Sequence, residues 1–209
     1  MQRGKFITVE GIEGVGKSTN IDFLAGLIEA QGHAVMKTRE PGGTPIAEDI
    51  RSILKEHGDE LLPDVAELLL MFAARSINVN NAIRPALETG GWVISDRFTD
   101  STRAYQGGGR GFPRDSIEWL ATFVHGDLQP DLTILLDAPV ETALQRAGRR
   151  GEPDRFEVEQ ADFFNRVRQA YLELAAAEPG RFRVVDCSRE LDTVQAAIRE
   201  IAATLFTDN

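Results

Sequence analysis

The stretch Gly11-Ile-Glu-Gly-Val-Gly-Lys17-Ser18 leaves few folds open to this chain. It has the form G-x-x-x-x-G-K-[ST] and follows an apolar, β-branched run, Phe6-Ile-Thr-Val-Glu10. After it, Ser18 to Gln31 repeats its apolar residues at helical spacing. A strand, a glycine-rich turn and a helix in that order make a cradle for a polyphosphate. Glycines 11, 14 and 16 let the backbone turn its N–H groups inward, and the first helical turn adds its positive end. Lys17 is expected to bridge the β- and γ-phosphates, and Ser18 to ligate Mg²⁺. Gly11, Ile12, Glu13, Gly14, Val15, Gly16, Lys17, Ser18 and Thr19 are therefore the candidate ATP-binding residues.

Four more short apolar runs follow: Ala34 to Thr38, Trp92 to Ser95, Leu132 to Asp137 and Phe182 to Asp186. They alternate with longer helical patterns, including Asp64 to Glu88 and Asp162 to Ala177. Strand–helix alternation predicts a mainly parallel sheet covered on both faces, in one domain spanning residues 1–209. Gln106 to Gly111 and Ala147 to Phe156 are polar, Gly- and Arg-rich, and read as loops at the ligand-binding edge of such a sheet.

Charge narrows the partners. A net charge of −10 opposes a nucleic-acid polymer, whereas a small anion needs only local positive charge. The single cysteine, Cys187, excludes an intramolecular disulfide framework and is expected in the core. Neither a signal-peptide pattern nor a membrane-spanning run is visible, which points to a soluble cytoplasmic enzyme.

Asp96 closes the third strand, where a carboxylate would hold the metal or its water shell. Arg97 follows and is expected to face an anion at the same edge, the phosphate of an acceptor. Phosphoryl transfer calls for further cations, yet the variable positions of the phosphate loop contain no arginine. Arg146, Arg149, Arg150 and Arg155 lie just beyond the fourth strand, and their glycine-flanked segment reads as a mobile lid at about 147–157.

With these residues in place, the chain resembles the bacterial thymidylate kinases from Phe6 to near its C-terminus. Arg39-Glu-Pro-Gly-Gly-Thr44, Asp96-Arg97-Phe98, Ala104-Tyr-Gln-Gly-Gly-Gly-Arg-Gly111 and Asp154-Arg155 are similar to the family's successive signatures. The arginine placement resembles the subclass with catalytic charge in the lid. The resemblance implies a P-loop fold of nucleoside monophosphate kinase type, with five parallel strands in the order 2-3-1-4-5. It also implies ATP and Mg²⁺ as cofactors, dTMP as acceptor, and a homodimer formed through long helices. Residue by residue it implies that Phe72 stacks on thymine, Arg75 donates to a base carbonyl, and Thr102 bonds the base edge. Tyr105 is to close the space beside the sugar, Glu13 to accept from the 3′-hydroxyl, and Arg39 and Arg97 to surround the acceptor phosphate. Gln106 lies beside these groups, and Arg146 is to stack on adenine. One departure stands out: the family separates its stacking aromatic from the base-reading arginine by four residues. Phe72 and Arg75 are three apart, which leaves open whether Met71 shares the stacking surface.

Two alternatives compete with this reading. Another kinase of the same fold would accept a different monophosphate or a deoxynucleoside, although Arg39 and Arg97 favour a phosphorylated acceptor. A nucleotide-dependent switch would need a partner surface and a positioned water, and the chain has no guanine-reading N-K-x-D sequence.

Overall fold

The computed structural model describes residues 3–55, 61–148 and 161–207. Its centre is a five-stranded parallel sheet of β1 (Phe6–Glu10), β2 (Val35–Arg39), β3 (Trp92–Asp96), β4 (Leu132–Asp137) and β5 (Phe182–Asp186). The strand order β2-β3-β1-β4-β5 is the expected one. All five residues of β1 are buried, as a central strand covered on both faces requires. Each strand ends on a charged residue, Glu10, Arg39, Asp96, Asp137 or Asp186, so the carboxyl edge is polar while the interior is not. Asp96 is paired in register with both Val9 and Arg39, which brings the ends of β1, β2 and β3 together.

Helices cover both faces. Helices α1 (Lys17–Glu29), α8 (Ala161–Ala177) and α9 (Leu191–Thr207) pack Leu24, Ile28, Phe164, Val167 and Ile198 into the larger core. Cys187 is buried in that core as expected, and burial pushes its thiol up to about 12. On the other side, α3 (Asp64–Asn78) meets α6 (Arg114–His125) through Leu68, Phe72, Ile117 and Ala121. Fully burying one such Leu or Phe stabilises the fold by roughly 1.5–3 kcal/mol. No helix among the described residues is long and apolar enough to cross a membrane.

Two segments differ from the sequence reading. The predicted helix Asp64 to Glu88 is a continuous rod with a wide π-turn at Val79–Ile83, between α3 and α4 (Arg84–Glu88). Pro85 has no N–H for the carbonyl of Asn81, which lies inside the widened turn. The second difference is a correction. Gln106 to Gly111 reads as a loop, yet Arg103–Gly109 is a π-helix continuing from α5 (Thr99–Thr102). A Cβ on Gly108 would lie 2.5 Å from Cβ of Ala170, and one on Gly109 would lie 2.5 Å from the ring of Phe163. These glycines admit α8 to close packing rather than loosening the chain. Helix α2 (Pro45–Lys55), which the periodicity did not predict, and α7 (Val140–Ala147) complete the framework.

Candidate active site

The phosphate loop leaves β1 at the centre of the carboxyl edge. Its glycines adopt positive φ, 134° at Gly11, 81° at Gly14 and 89° at Gly16. A Cβ at Gly14 would lie 1.8 Å from the carbonyl oxygen of Ala143, so only glycine fits beneath α7. Ile12 and Val15 are buried and anchor the loop in the core. Lys17 Nζ donates to the carbonyls of Gly11 and Ile12, each at 3.1 Å, holding the ammonium over the loop. Burial, and then the neighbouring Arg97, lower its pKa to about 8 against the pull of Asp96, Glu13 and Glu10. Ser18 and Thr19 are exposed in the first turn of α1. Asp96 Oδ1 is buried without a hydrogen-bond partner, and a hard cation shared with the Ser18 hydroxyl would satisfy it. These donors fit Mg²⁺ held by one hydroxyl, one carboxylate and phosphate oxygens.

Beside the loop lies a cavity lined by Glu13, Arg51, Met71, Arg75, Arg97, Thr102, Tyr105 and Gln106, among others. Arg97 adopts φ 74°, a left-handed conformation uncommon for a side chain other than glycine or asparagine. Its guanidinium explains how that is held. Nη1 donates to Ser101 and to the Tyr171 hydroxyl, both at 3.2 Å, while Nη2 donates to Glu13 at 2.7 Å and to Tyr105 at 3.1 Å. Tyr105 donates to the other oxygen of Glu13 at 2.6 Å. Behind them Glu10 accepts from Phe98 N, Ser101 and Tyr171. Burial, and then Asp100, raise its pKa to about 7.

At the far end Arg75 is almost fully buried. Its Nε donates to Glu40 at 2.6 Å, and its Nη2 to Phe98 O at 3.1 Å and to Thr102 Oγ1 at 3.0 Å. Nη1 is buried with no partner. An unpaired donor there costs roughly 1–3 kcal/mol, so the cavity presents a hydrogen-bond donor seeking an acceptor. Thr102, having accepted from Arg75, keeps its own proton to donate.

The thymidylate kinase family model matches residues 9–198 of the chain. The chain belongs to the thymidylate kinase family. It is 56% identical to the thymidylate kinase of Chromohalobacter salexigens over 200 residues, covering 95% of this chain and 94% of that one. Against the thymidylate kinase of Pseudomonas syringae pv. syringae it is 55% identical over 203 residues, 97% of each. The crystal structure of thymidylate kinase from Ehrlichia chaffeensis superposes with a TM-score of 0.78 at 32% identity, covering 97% of this chain and 99% of that one.

For a member of the thymidylate kinase family, two side chains, Phe72 and Arg39, stand elsewhere than the resemblance implied. Phe72 turns into the α3–α6 core at 2% exposure, with the guanidinium of Arg75 4.7 Å from its ring, and it does not line the cavity. Met71 lines the cavity instead, four residues from Arg75 and so on the same helical face. Arg39 gives its fork to Glu48, at 3.0 and 2.7 Å, and faces a neighbouring groove. Arg51, which sequence reasoning missed, lines the cavity in its place. Its guanidinium donates to Pro41 O at 2.8 Å and has no carboxylate partner among the described residues. Arg146 Nη1 donates to Cys187 O at 2.6 Å, tying the end of α7 to the turn after β5. Arg149, Arg150 and Arg155, and with them the expected lid, lie outside the described residues. Tyr171 and Glu40 were also missed; each lies far in sequence from the group it holds, Glu40 inside the signature Arg39 to Thr44 and Tyr171 in no local motif.

Proposed function

We propose that this chain transfers the γ-phosphoryl group of ATP to dTMP, giving dTDP and ADP. The observation that carries the acceptor assignment is the unpartnered Nη1 of Arg75 inside a cavity that also holds Arg51 and Arg97. A pyrimidine with a ring carbonyl satisfies the buried donor, and its phosphate meets the cations. Cytosine would set its exocyclic amine against that donor in a desolvated site.

Lys17 lies over the loop that would hold the β- and γ-phosphates and stabilises charge developing between donor and acceptor. Mg²⁺ held by Ser18 and Asp96 would neutralise phosphate charge when bound. Glu13 uses one lone pair of each oxygen on Arg97 and Tyr105, leaving a second for the 3′-hydroxyl of the acceptor. Tyr105 closes the space beside the sugar, and Met71 supplies the apolar surface under the base. Arg149, Arg150 and Arg155 supply the remaining cations from a lid, and Arg146 forms one wall of the adenine site. The working form is a cytoplasmic homodimer.

The test is kcat/KM for dTMP, dUMP, UMP and dCMP, in the unaltered protein and in Arg75→Ala. The expected order is dTMP, then dUMP, whose missing methyl is worth about 1–3 kcal/mol at most, then the other two far behind. Arg75→Ala narrows the gap to dCMP. Equal use of dCMP and dTMP would overturn the assignment in favour of another kinase of this fold.

A further inference from the structure

We propose that Glu67 is a specificity-determining positioning residue, which fixes the amide of Gln106 so that its carbonyl oxygen faces the base. This rests on the cavity being the acceptor site. Glu67 lies on α3 with no solvent exposure. Its Oε1 accepts from Gln106 Nε2 at 2.8 Å and from Arg110 Nε at 3.0 Å, and its Oε2 accepts from Arg110 Nη2 at 3.1 Å. The two-pronged contact with a guanidinium identifies Glu67 as an ionised carboxylate, which can only accept.

That fact settles a question a primary amide normally leaves open. A glutamine side chain is nearly symmetric in shape, and its NH₂ and carbonyl exchange places by a flip. Opposite an acceptor-only group, the NH₂ must face Glu67, so the carbonyl faces away from it. Gln106 lines the cavity, is 2% exposed, and its side chain makes no other hydrogen bond to a described residue. The π-helix matters here, because it carries Gln106, and Arg110 directly after its end, to the same carboxylate.

The cavity thus offers a donor, Arg75 Nη1, and an acceptor, Gln106 Oε1. A thymine edge carries a carbonyl next to a ring N–H and complements both groups. Cytosine at the same place has an amine next to a bare ring nitrogen and mismatches both. Arg75 alone would give one mismatch; the oriented amide gives the second. A residue that touches no substrate therefore sets half of the base discrimination.

The experiment compares dTMP and dCMP as acceptors in the unaltered protein, Glu67→Gln and Glu67→Asp. In Glu67→Gln one oxygen becomes a donor and the amide of Gln106 is no longer held to one orientation. The ratio of kcat/KM for dTMP over dCMP should fall by about tenfold or more, through KM rather than kcat. Glu67→Asp keeps an acceptor-only group and should retain most of the ratio. An undiminished ratio in Glu67→Gln would overturn the proposal. An unaltered protein without preference for dTMP would overturn the acceptor assignment instead. Should Glu67→Gln fail to fold, the side-chain amide protons of Gln106 in the unaltered protein, assigned through Gln106→Leu, decide the matter. Slow exchange with solvent supports the clamp, and exchange as fast as surface amides refutes it.

Discussion

Lys17 carries its charge in a setting that weakens its hold on a proton, with a pKa lowered from 10.5 to about 8. Between those values the folded chain binds fewer protons than the unfolded one, so Lys17 costs stability as pH falls through that window. A polyphosphate beside the ammonium favours the charged form and raises the value again. Binding of ATP at a pH of about 8.5 should therefore take up protons. Calorimetry in buffers of different ionisation enthalpy measures this, and Lys17→Met should abolish the uptake. Proton release in the unaltered protein would refute the assignment. Lys17→Ala should also lower kcat by about 10²–10³, the usual effect of removing one preorganised charge-stabilising group. At this scale the site was only partly legible in the sequence. Lys17, Ser18 and Asp96 sit in local patterns whose spacing encodes their task, and the structure places them at one edge. Arg51 gives no such signal, because its role follows from how α2 packs on α3 rather than from its neighbours in the chain. Met71 and Phe72 were separated only by the rotation of α3.

The π-helix Arg103–Gly109 shows why one element escaped the sequence while all five strands did not. Glycine runs have low intrinsic helix propensity, so Gln106 to Gly111 reads as loop. Tertiary packing overrides that preference: Gly108 and Gly109 face Ala170, Phe163 and Val167 of α8 at distances no side chain permits. The central strands β1, β3 and β4 were legible because burial on both faces leaves a largely apolar run, and the edge strands β2 and β5 because β-branched residues lie between turn signals. Gly108→Val should push α8 away from the π-helix and destabilise the protein by about 1–3 kcal/mol. Denaturant unfolding checks this, with the midpoint expected to fall and the slope to hold. The same variant should impair acceptor binding, since Tyr105 and Gln106 ride on the displaced element. A variant with unaltered stability would show that the contact relaxes without cost.

On the surface of the whole molecule, Trp119 and Phe123 lie stacked on α6, ring centres 5.4 Å apart, at 64% and 76% exposure. Val65 and Leu69 on α3 are exposed as well. Exposed large apolar side chains are what an interaction surface requires, and α6 with α3 is where we place the contact of the proposed homodimer. Phe123→Asp should convert a dimer to a monomer in sedimentation velocity, with phosphoryl transfer declining only as far as the acceptor cavity depends on the partner. A monomeric unaltered protein would remove the dimer from the proposal. The placement of β1 has a further consequence. The phosphate loop springs from the most deeply covered strand of the sheet, whereas Arg51, Met71, Arg75, Thr102, Tyr105 and Gln106 all ride on helices set around it. On the proposed assignment, grip on the nucleotide that donates and choice of the base that receives fall to different tiers of the architecture. Repacking two or three helical turns can retune the recipient while the donor apparatus stays as it is, so new specificities are within reach of small evolutionary steps.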